Sequence, residues 1–215
     1  MNPPWPRGLY AITPDDDDTA RLLVRVEAVL QAGATWLQYR NKAADRDLRA
    51  RQARALLPLC RRHGAALIIN DDWRLAAAIG ADGVHLGQKD GELALARDAL
   101  GAGAIVGASC YDSLDLARAA CAAGASYVAF GAFFPSPTKP QARLASIRLL
   151  GDSAALEVPR VAIGGITPDN AHALVAAGAD LLAVISGVFD APDPAAATRA
   201  YLGCFDNPTP RTRTP

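Results

Sequence analysis

The chain of 215 residues has no excess of either charge, with 22 Lys and Arg against 22 Asp and Glu. The broad basic field that draws a protein onto nucleic acid or anionic lipid is therefore missing. Cysteine is sparse: Cys60, Cys110, Cys121 and Cys204 never fall in a C-x-x-C pair, which argues against a zinc site or a redox couple and for reduced, mostly buried thiols. Apolar runs such as 181–185 are broken within a few residues, far short of the roughly 20 that a membrane span needs. Met1-Asn2-Pro3-Pro4-Trp5-Pro6-Arg7 lacks the apolar stretch and small-residue cleavage site of a signal peptide. These absences predict a cytoplasmic protein that handles small molecules, with no nucleic acid or membrane partner; homo-oligomerisation stays open. A composition of 51% hydrophobic and 20% charged residues suits one soluble globular domain.

Histidine is also scarce. His63 and His172 read as ordinary helix residues, and His85, inside an apolar run, as a packed, hydrogen-bonded core residue rather than a base. Cys110 has no histidine beside it in sequence and makes a poor candidate nucleophile. The run Asp15-Asp16-Asp17-Asp18 is expected to cap the first helix and face water.

What the sequence does have is a repeat of short apolar strands and Ala-, Leu- and Arg-rich amphipathic helices, the pattern of a parallel α/β sheet. Strands are predicted over 9–12, 36–39, 66–69, 83–86, 105–108, 127–130, 160–163 and 181–185. Helices are predicted to stop at Gly33, Gly80, Gly103, Gly124 and Gly178, because glycine after a helix closes the last turn in a left-handed conformation. Eight such units, with no G-x-G-x-x-G after the first strand, favour a single-domain (β/α)8 TIM barrel over a doubly wound sheet. The predicted boundaries are an N-terminal extension over 1–8, the barrel over 9–205 and a Pro/Thr-rich disordered tail over 206–215.

In a barrel the chemistry lies at the C-terminal strand ends. Polar residues follow the predicted strands there: Gln38-Tyr39-Arg40-Asn41-Lys42, Asn70-Asp71-Asp72, Gln88-Lys89-Asp90, Ser109-Cys110-Tyr111 and Ser136-Pro137-Thr138-Lys139. Ile163-Gly164-Gly165-Ile166 and Val184-Ile185-Ser186-Gly187 have the form of a phosphate cradle built from the last two loops, although two ordinary glycine-containing turns would read alike. Asp71 and Asp90 follow neighbouring strands and suit Mg2+, which takes few protein ligands and completes its shell with water and phosphate oxygens. Either carboxylate could equally be a solvated loop residue or a helix cap. Arg40, Lys42 and Lys139 beside them imply a polyanionic substrate.

Taken in order, these blocks, with Gly83-Val84-His85-Leu86-Gly87-Gln88-Lys89-Asp90 among them, resemble the thiamine phosphate synthase family from about Leu9 to Tyr201. The resemblance implies a transferase that joins 4-amino-2-methyl-5-hydroxymethylpyrimidine diphosphate to 4-methyl-5-(2-hydroxyethyl)thiazole phosphate, or its carboxylated precursor, and releases pyrophosphate. It implies that Gln38, Tyr39, Arg40, Asn41, Lys42, Asn70, Ser109 and Lys139 bind the pyrimidine diphosphate. By the same resemblance Ser136, Pro137, Thr138, Gly165, Ile185 and Ser186 bind the thiazole phosphate, and Asp71 and Asp90 hold Mg2+. Arg40, Lys42 and Lys139 would act catalytically by neutralising the leaving diphosphate, in a mouth without a poised histidine. Asn41 stands where many relatives carry Glu, Tyr111 where many carry His, and Ser136 where many carry Thr. A related thiazole tautomerase is the nearest alternative, but it handles one phosphate and has little use for a metal and a second anion site. A barrel that binds without turnover is the other.

Overall fold

The structure is a computed structural model that describes residues 5–87, 90–135 and 143–206, apart from the side chains of 90–92. The predicted tail lies outside the described residues except for Asp206. Eight parallel strands close into a barrel in sequential order: β1 (Gly8–Ile12), β2 (Trp36–Tyr39), β3 (Ala66–Asn70), β4 (Gly83–Leu86), β5 (Ile105–Tyr111), β6 (Tyr127–Phe130), β7 (Arg160–Ile163) and β8 (Leu181–Val184). The helices wrap outside: α1 (Thr19–Gln31), α2 (Arg46–Arg62), α3 (Trp73–Ile79), α4 (Asp90–Leu100), α5 (Leu114–Ala122), α6 (Arg148–Asp152), α7 (Pro168–Ala176), α8 (Ser186–Phe189) and α9 (Pro194–Asp206).

Strand parity divides the apolar residues into two cores. Leu9, Leu37, Leu67, Val84, Val106, Val128, Ala162 and Leu182 point outward and pack beneath the helices. Tyr10, Trp36, Ile68, Tyr127, Val161 and Leu181 fill the barrel itself. The inward set is identified by a contact that no sheet neighbour could make: Tyr10 on β1 meets the Tyr127 hydroxyl on β6 at 2.8 Å, whereas β1 pairs only with β2 and β8. Each fully buried Leu or Val contributes about 1.5–3 kcal/mol.

The filling is asymmetric. Tyr10, Trp36 and Tyr127 meet edge to face with centroids 5.1–5.9 Å apart. The Tyr127 ring lies over its in-register neighbour on β5, Gly107, where a side chain would have no room. A Cβ on Gly107 would fall inside the Tyr127 ring.

Several boundaries differ from the sequence reading. β1 starts one residue earlier, at Gly8, and β3 keeps Asn70. β5 runs on to Tyr111, because Tyr111 still pairs with Phe130 after a register shift. β8 stops at Val184, since Ile185 turns to φ −106 and ψ −89 ahead of α8. α4 ends at Leu100 with Gly101 at φ 82, so Gly101 closes it rather than Gly103. Gly33, Gly80, Gly124 and Gly178 all have positive φ, as expected of helix stops. Asp206 is the last residue of α9 rather than part of a tail.

Helix α9 packs on α1, α7, α8 and β1. Its buried Tyr201 donates to the Ile166 carbonyl at 2.9 Å, and the same hydroxyl lies where a Gly187 Cβ would go. One phenol thereby props the loops after β7 and β8 from below.

Gly107→Ala is expected to lower stability by about 1–3 kcal/mol, the usual cost of overpacking. Urea unfolding of the variant measures this, and a midpoint equal to wild type would show that the Tyr127 ring yields without cost.

Candidate active site

The C-terminal end of the barrel is tied together by the loops after β1 and β2. Thr13, fully buried, donates through Oγ1 to the Arg40 carbonyl at 2.8 Å and accepts the Arg40 amide at 2.9 Å. Asp15 Oδ1 accepts from Arg40 Nη1 at 3.0 Å and from the Lys42 amide at 2.8 Å. Lys42 Nζ in turn lies 3.6 Å from Asp71 Oδ2. Arg40 and Lys42, two of the three predicted cations, are thus at the mouth, each paired with a carboxylate.

The four-aspartate run does not act as one solvated cap. Asp18 caps α1 by accepting the Arg21 amide at 3.1 Å, and Asp17 is exposed. Asp15 holds the Arg40 guanidinium and the Lys42 backbone amide. Asp16 is buried, with a side chain 2% exposed, bonded to Arg21 Nε at 3.1 Å and Nη2 at 2.5 Å and 3.5 Å from Arg25 Nη1. Burial alone would push its carboxyl up; hydrogen bonds from Arg21 and the Asp18 amide, with the charges of Arg21 and Arg25, outweigh it and hold the pKa below the carboxylate norm. Asp15 and Asp16 were missed because their partners lie elsewhere in the chain, and a run of like charges reads as surface.

Asn41 and Tyr39 serve the same scaffold. Asn41 Nδ2 donates to the Asp16 carbonyl at 2.7 Å and to Gln52 Oε1 at 3.0 Å, and its Oδ1 accepts the Ala44 amide at 3.1 Å. Tyr39 points outward and donates to Gln52 Oε1 at 2.7 Å. Both border a cavity of about 270 Å³ that is also lined by Lys42, Arg49, Asn70 and Asp71. Asp71 sits there at φ 62 with its side chain 55% exposed, an open carboxylate on a left-handed residue that Asp tolerates better than most.

Polar side chains also thread the barrel interior. Gln38 Nε2 donates to Tyr10 Oη at 2.9 Å, Tyr10 meets Tyr127 at 2.8 Å, Tyr127 Oη meets His85 Nδ1 at 2.8 Å, and His85 Nε2 meets Ser109 Oγ at 2.8 Å. His85 is the packed, hydrogen-bonded core residue expected of it. The mouth is nevertheless not free of histidine, because the ring reaches Ser109. Burial pushes its pKa down to about 4 against the opposing charge of Asp71, so the imidazole is neutral near pH 7 and a weak base. Burial pushes the Cys110 thiol up to about 12, which leaves it unreactive.

A family model described as thiamine monophosphate synthase matches residues 9–188. The chain belongs to the thiamine monophosphate synthase family. It is 60% identical to the thiamine-phosphate synthase of Chromobacterium violaceum over 203 residues, covering 94% of this chain and 98% of that protein. It is also 60% identical to the protein of that name from Xanthomonas campestris pv. campestris over 199 residues, with 93% and 96% covered. The solved thiamine phosphate pyrophosphorylase of Pyrococcus furiosus superposes with a TM-score of 0.82 at 33% identity, covering 94% of this chain and 96% of that one. Membership of this synthase family makes the chain an enzyme of the transferase class.

Of the residues that the family resemblance implicates, Gln38, Arg40, Lys42, Asn70, Asp71 and Ser109 stand at the C-terminal ends of β2, β3 and β5 or just beyond them. Gly164 and Gly165 have φ 99 and 62. A Cβ on Gly165 would strike the carbonyls of Phe134 and Pro135, so glycine is required here by the crossing loop after β6 as well as by the turn. Ile185 and Ser186 open α8, where the Ile185 carbonyl accepts from Val188 and Phe189. Ser136, Pro137, Thr138 and Lys139 lie outside the described residues, as does the side chain of Asp90, whose backbone begins α4.

Asp16 has a depressed folded-state pKa, so the stability it contributes is present above the unfolded value near 3.9 and lost as pH falls through the folded value. Asp16→Asn is expected to cost about 1–3 kcal/mol at pH 7 and to match wild type at the acid end. Chemical unfolding from pH 7 to 2 measures both; parallel curves would remove Asp16 from the account.

Proposed function

We propose that this chain is a thiamine-phosphate synthase that joins 4-amino-2-methyl-5-hydroxymethylpyrimidine diphosphate to 4-methyl-5-(2-hydroxyethyl)thiazole phosphate, or its carboxylated precursor. The observation that carries the reading is the mouth of the barrel, where Arg40 and Lys42, held by Asp15 and Asp71, sit in a chain 60% identical to proteins named for that activity. The bond from the pyrimidine methylene carbon to the diphosphate oxygen breaks with its electron pair leaving on the diphosphate. The thiazole nitrogen lone pair then forms the carbon–nitrogen bond to the resulting cation. No general base is needed, which suits a neutral, weakly basic His85.

Catalysis of this kind is charge stabilisation and positioning. Arg40 and Lys42 take up charge growing on the diphosphate, and Lys139 is assigned the same role from the family pattern. Exposed ion pairs contribute only about 0–1 kcal/mol, so a diphosphate can draw both cations from their carboxylates at little cost. Ser109 offers a hydroxyl near the end of β5, and Gln38 and Asn70 are assigned to the pyrimidine diphosphate from the family pattern. Gly165, Ile185 and Ser186, with Ser136, Pro137 and Thr138, are assigned to the thiazole phosphate. Water is kept from the cation by the buried aromatic floor of Tyr10, Trp36 and Tyr127.

The described residues contain no cluster of three or more metal-type side chains. Mg2+ requires only one or two carboxylates with water and substrate oxygens, and the open carboxylate of Asp71 fits that demand, with Asp90 as the second assigned ligand. Bound there, the ion would supply further positive charge to the leaving diphosphate.

Product formation from the two substrates, with Mg2+ and again with excess chelator, tests the reading; metal-dependent thiamine phosphate is expected. Asp71→Asn and Lys42→Ala are each expected to lower kcat/KM by about 10²–10³-fold with an unchanged circular dichroism spectrum. Folded wild-type protein that makes no thiamine phosphate would overturn the assignment.

A further inference from the structure

Five polar side chains from β1, β2, β4, β5 and β6 form one hydrogen-bonded chain across the barrel, and the direction of its protons follows from its first member. We propose that Gln38, Tyr10, Tyr127 and His85 are a positioning device that fixes Ser109 as a hydrogen-bond donor toward the bound pyrimidine diphosphate. The inference rests on the reading above, in which Ser109 faces that substrate.

An amide nitrogen can only donate, so Gln38 Nε2 gives its proton to Tyr10 Oη. The one proton of Tyr10 then goes to Tyr127, its other hydrogen-bond partner. Tyr127 has one proton left to give, and the acceptor is His85 Nδ1. A neutral imidazole without a proton on Nδ1 carries it on Nε2, and Nε2 faces Ser109 Oγ at 2.8 Å. Ser109 receives that proton, so its own O–H points away from His85. Ser109 is partly exposed and lies two residues before the C-terminal end of β5, at the end of the barrel where the mouth is, so the freed O–H is available to a ligand bound there.

The direction decides the chemistry. Run the other way, the same contact would let His85 draw the proton from Ser109, the arrangement of a nucleophilic serine with its base. Run from Gln38, it makes Ser109 a donor strengthened by the chain behind it, suited to an oxygen that gains negative charge as a bond breaks. Solvent cannot reset the order, since Gln38, Tyr10 and Tyr127 are 3%, 1% and 0% exposed. Gly107 belongs to the same device, because only a residue without Cβ leaves room for the Tyr127 ring.

The test reads the proton on His85 directly. Long-range 1H–15N spectra of uniformly labelled protein distinguish the two neutral tautomers, and His63→Gln and His172→Gln assign the other two rings by difference. Wild type is expected to show His85 protonated on Nε2. Gln38→Glu, read at a pH where the carboxyl 13C shift shows the introduced side chain ionised and therefore only accepting, is expected to reverse the chain and move the proton to Nδ1, whatever it does to turnover. Tyr127→Phe is expected to give a tautomer mixture and to lower kcat about 10–100-fold, the usual cost of losing an orienting group, with KM for the pyrimidine diphosphate little changed. Tyr10→Phe provides the same readings should Tyr127→Phe not fold. An Nδ1 proton in wild type overturns the proposal, as does an Nε2 proton retained in Gln38→Glu, or wild-type tautomer and kcat in the Phe variants. Wild type without turnover would instead count against the synthase reading, while the ring spectra would still decide the direction of the chain.

Discussion

The inside of an eight-stranded barrel is just wide enough for side chains to fill it, and a polar group placed there cannot reach water. Left unpaired, each such group costs about 1–3 kcal/mol. This protein places Tyr10, Gln38, His85 and Tyr127 in that space and links them into one chain that surfaces at Ser109. Satisfaction of the buried polar groups and presentation of a hydroxyl at the mouth are therefore one constraint. The aromatic layer, the empty Cβ position of Gly107 and the neutrality of His85 all follow from meeting it.

Around the rim the constraint is reversed. There the charged groups are solvated, and the difficulty is to keep flexible cations aimed inward without spending them. The structure solves it with weak, exposed pairs, Arg40 with Asp15 and Lys42 with Asp71, anchored on a rigid base. That base is buried: Thr13 bridges the ends of β1 and β2, while Asp16, Asn41 and Gln52 tie the loop after β1 to α2. Weak, solvated contacts thus sit on buried, hydrogen-bonded ones.

Much of this was legible in the chain itself. Short apolar runs and glycine stops located the eight strands, because burial on both faces leaves a continuous apolar signature. Their ends were less legible: β5 reaches Tyr111 through a register shift against β6, and Gly101 rather than Gly103 closes α4, both decided by long-range or conformational detail. Among site residues, Arg40, Lys42 and Asp71 could be read as polar punctuation after strands. Asp15 could not, since its partner is 25 residues away and three further carboxylates surround it. One overlooked signal was present: Tyr10, Gln38, His85, Ser109 and Tyr127 share the inward parity of otherwise apolar strands, and polar residues there must have partners.

Backbone conformation points to the same end of the molecule. Among the described residues, the non-glycine positions with positive φ are Asp71, Tyr111 and Glu157. Glu157 merely closes a short 3-10 turn, but Asp71 and Tyr111 lie at the C-terminal ends of β3 and β5. A left-handed residue costs about 1–2 kcal/mol, so the cost is concentrated where side chains must leave the strand direction to reach the mouth. At Asp71 the amide still completes the ladder, donating to the His85 carbonyl at 2.8 Å, while the carboxylate turns to Lys42. The same His85 whose ring meets Ser109 therefore also holds, through its carbonyl, the backbone of the mouth carboxylate.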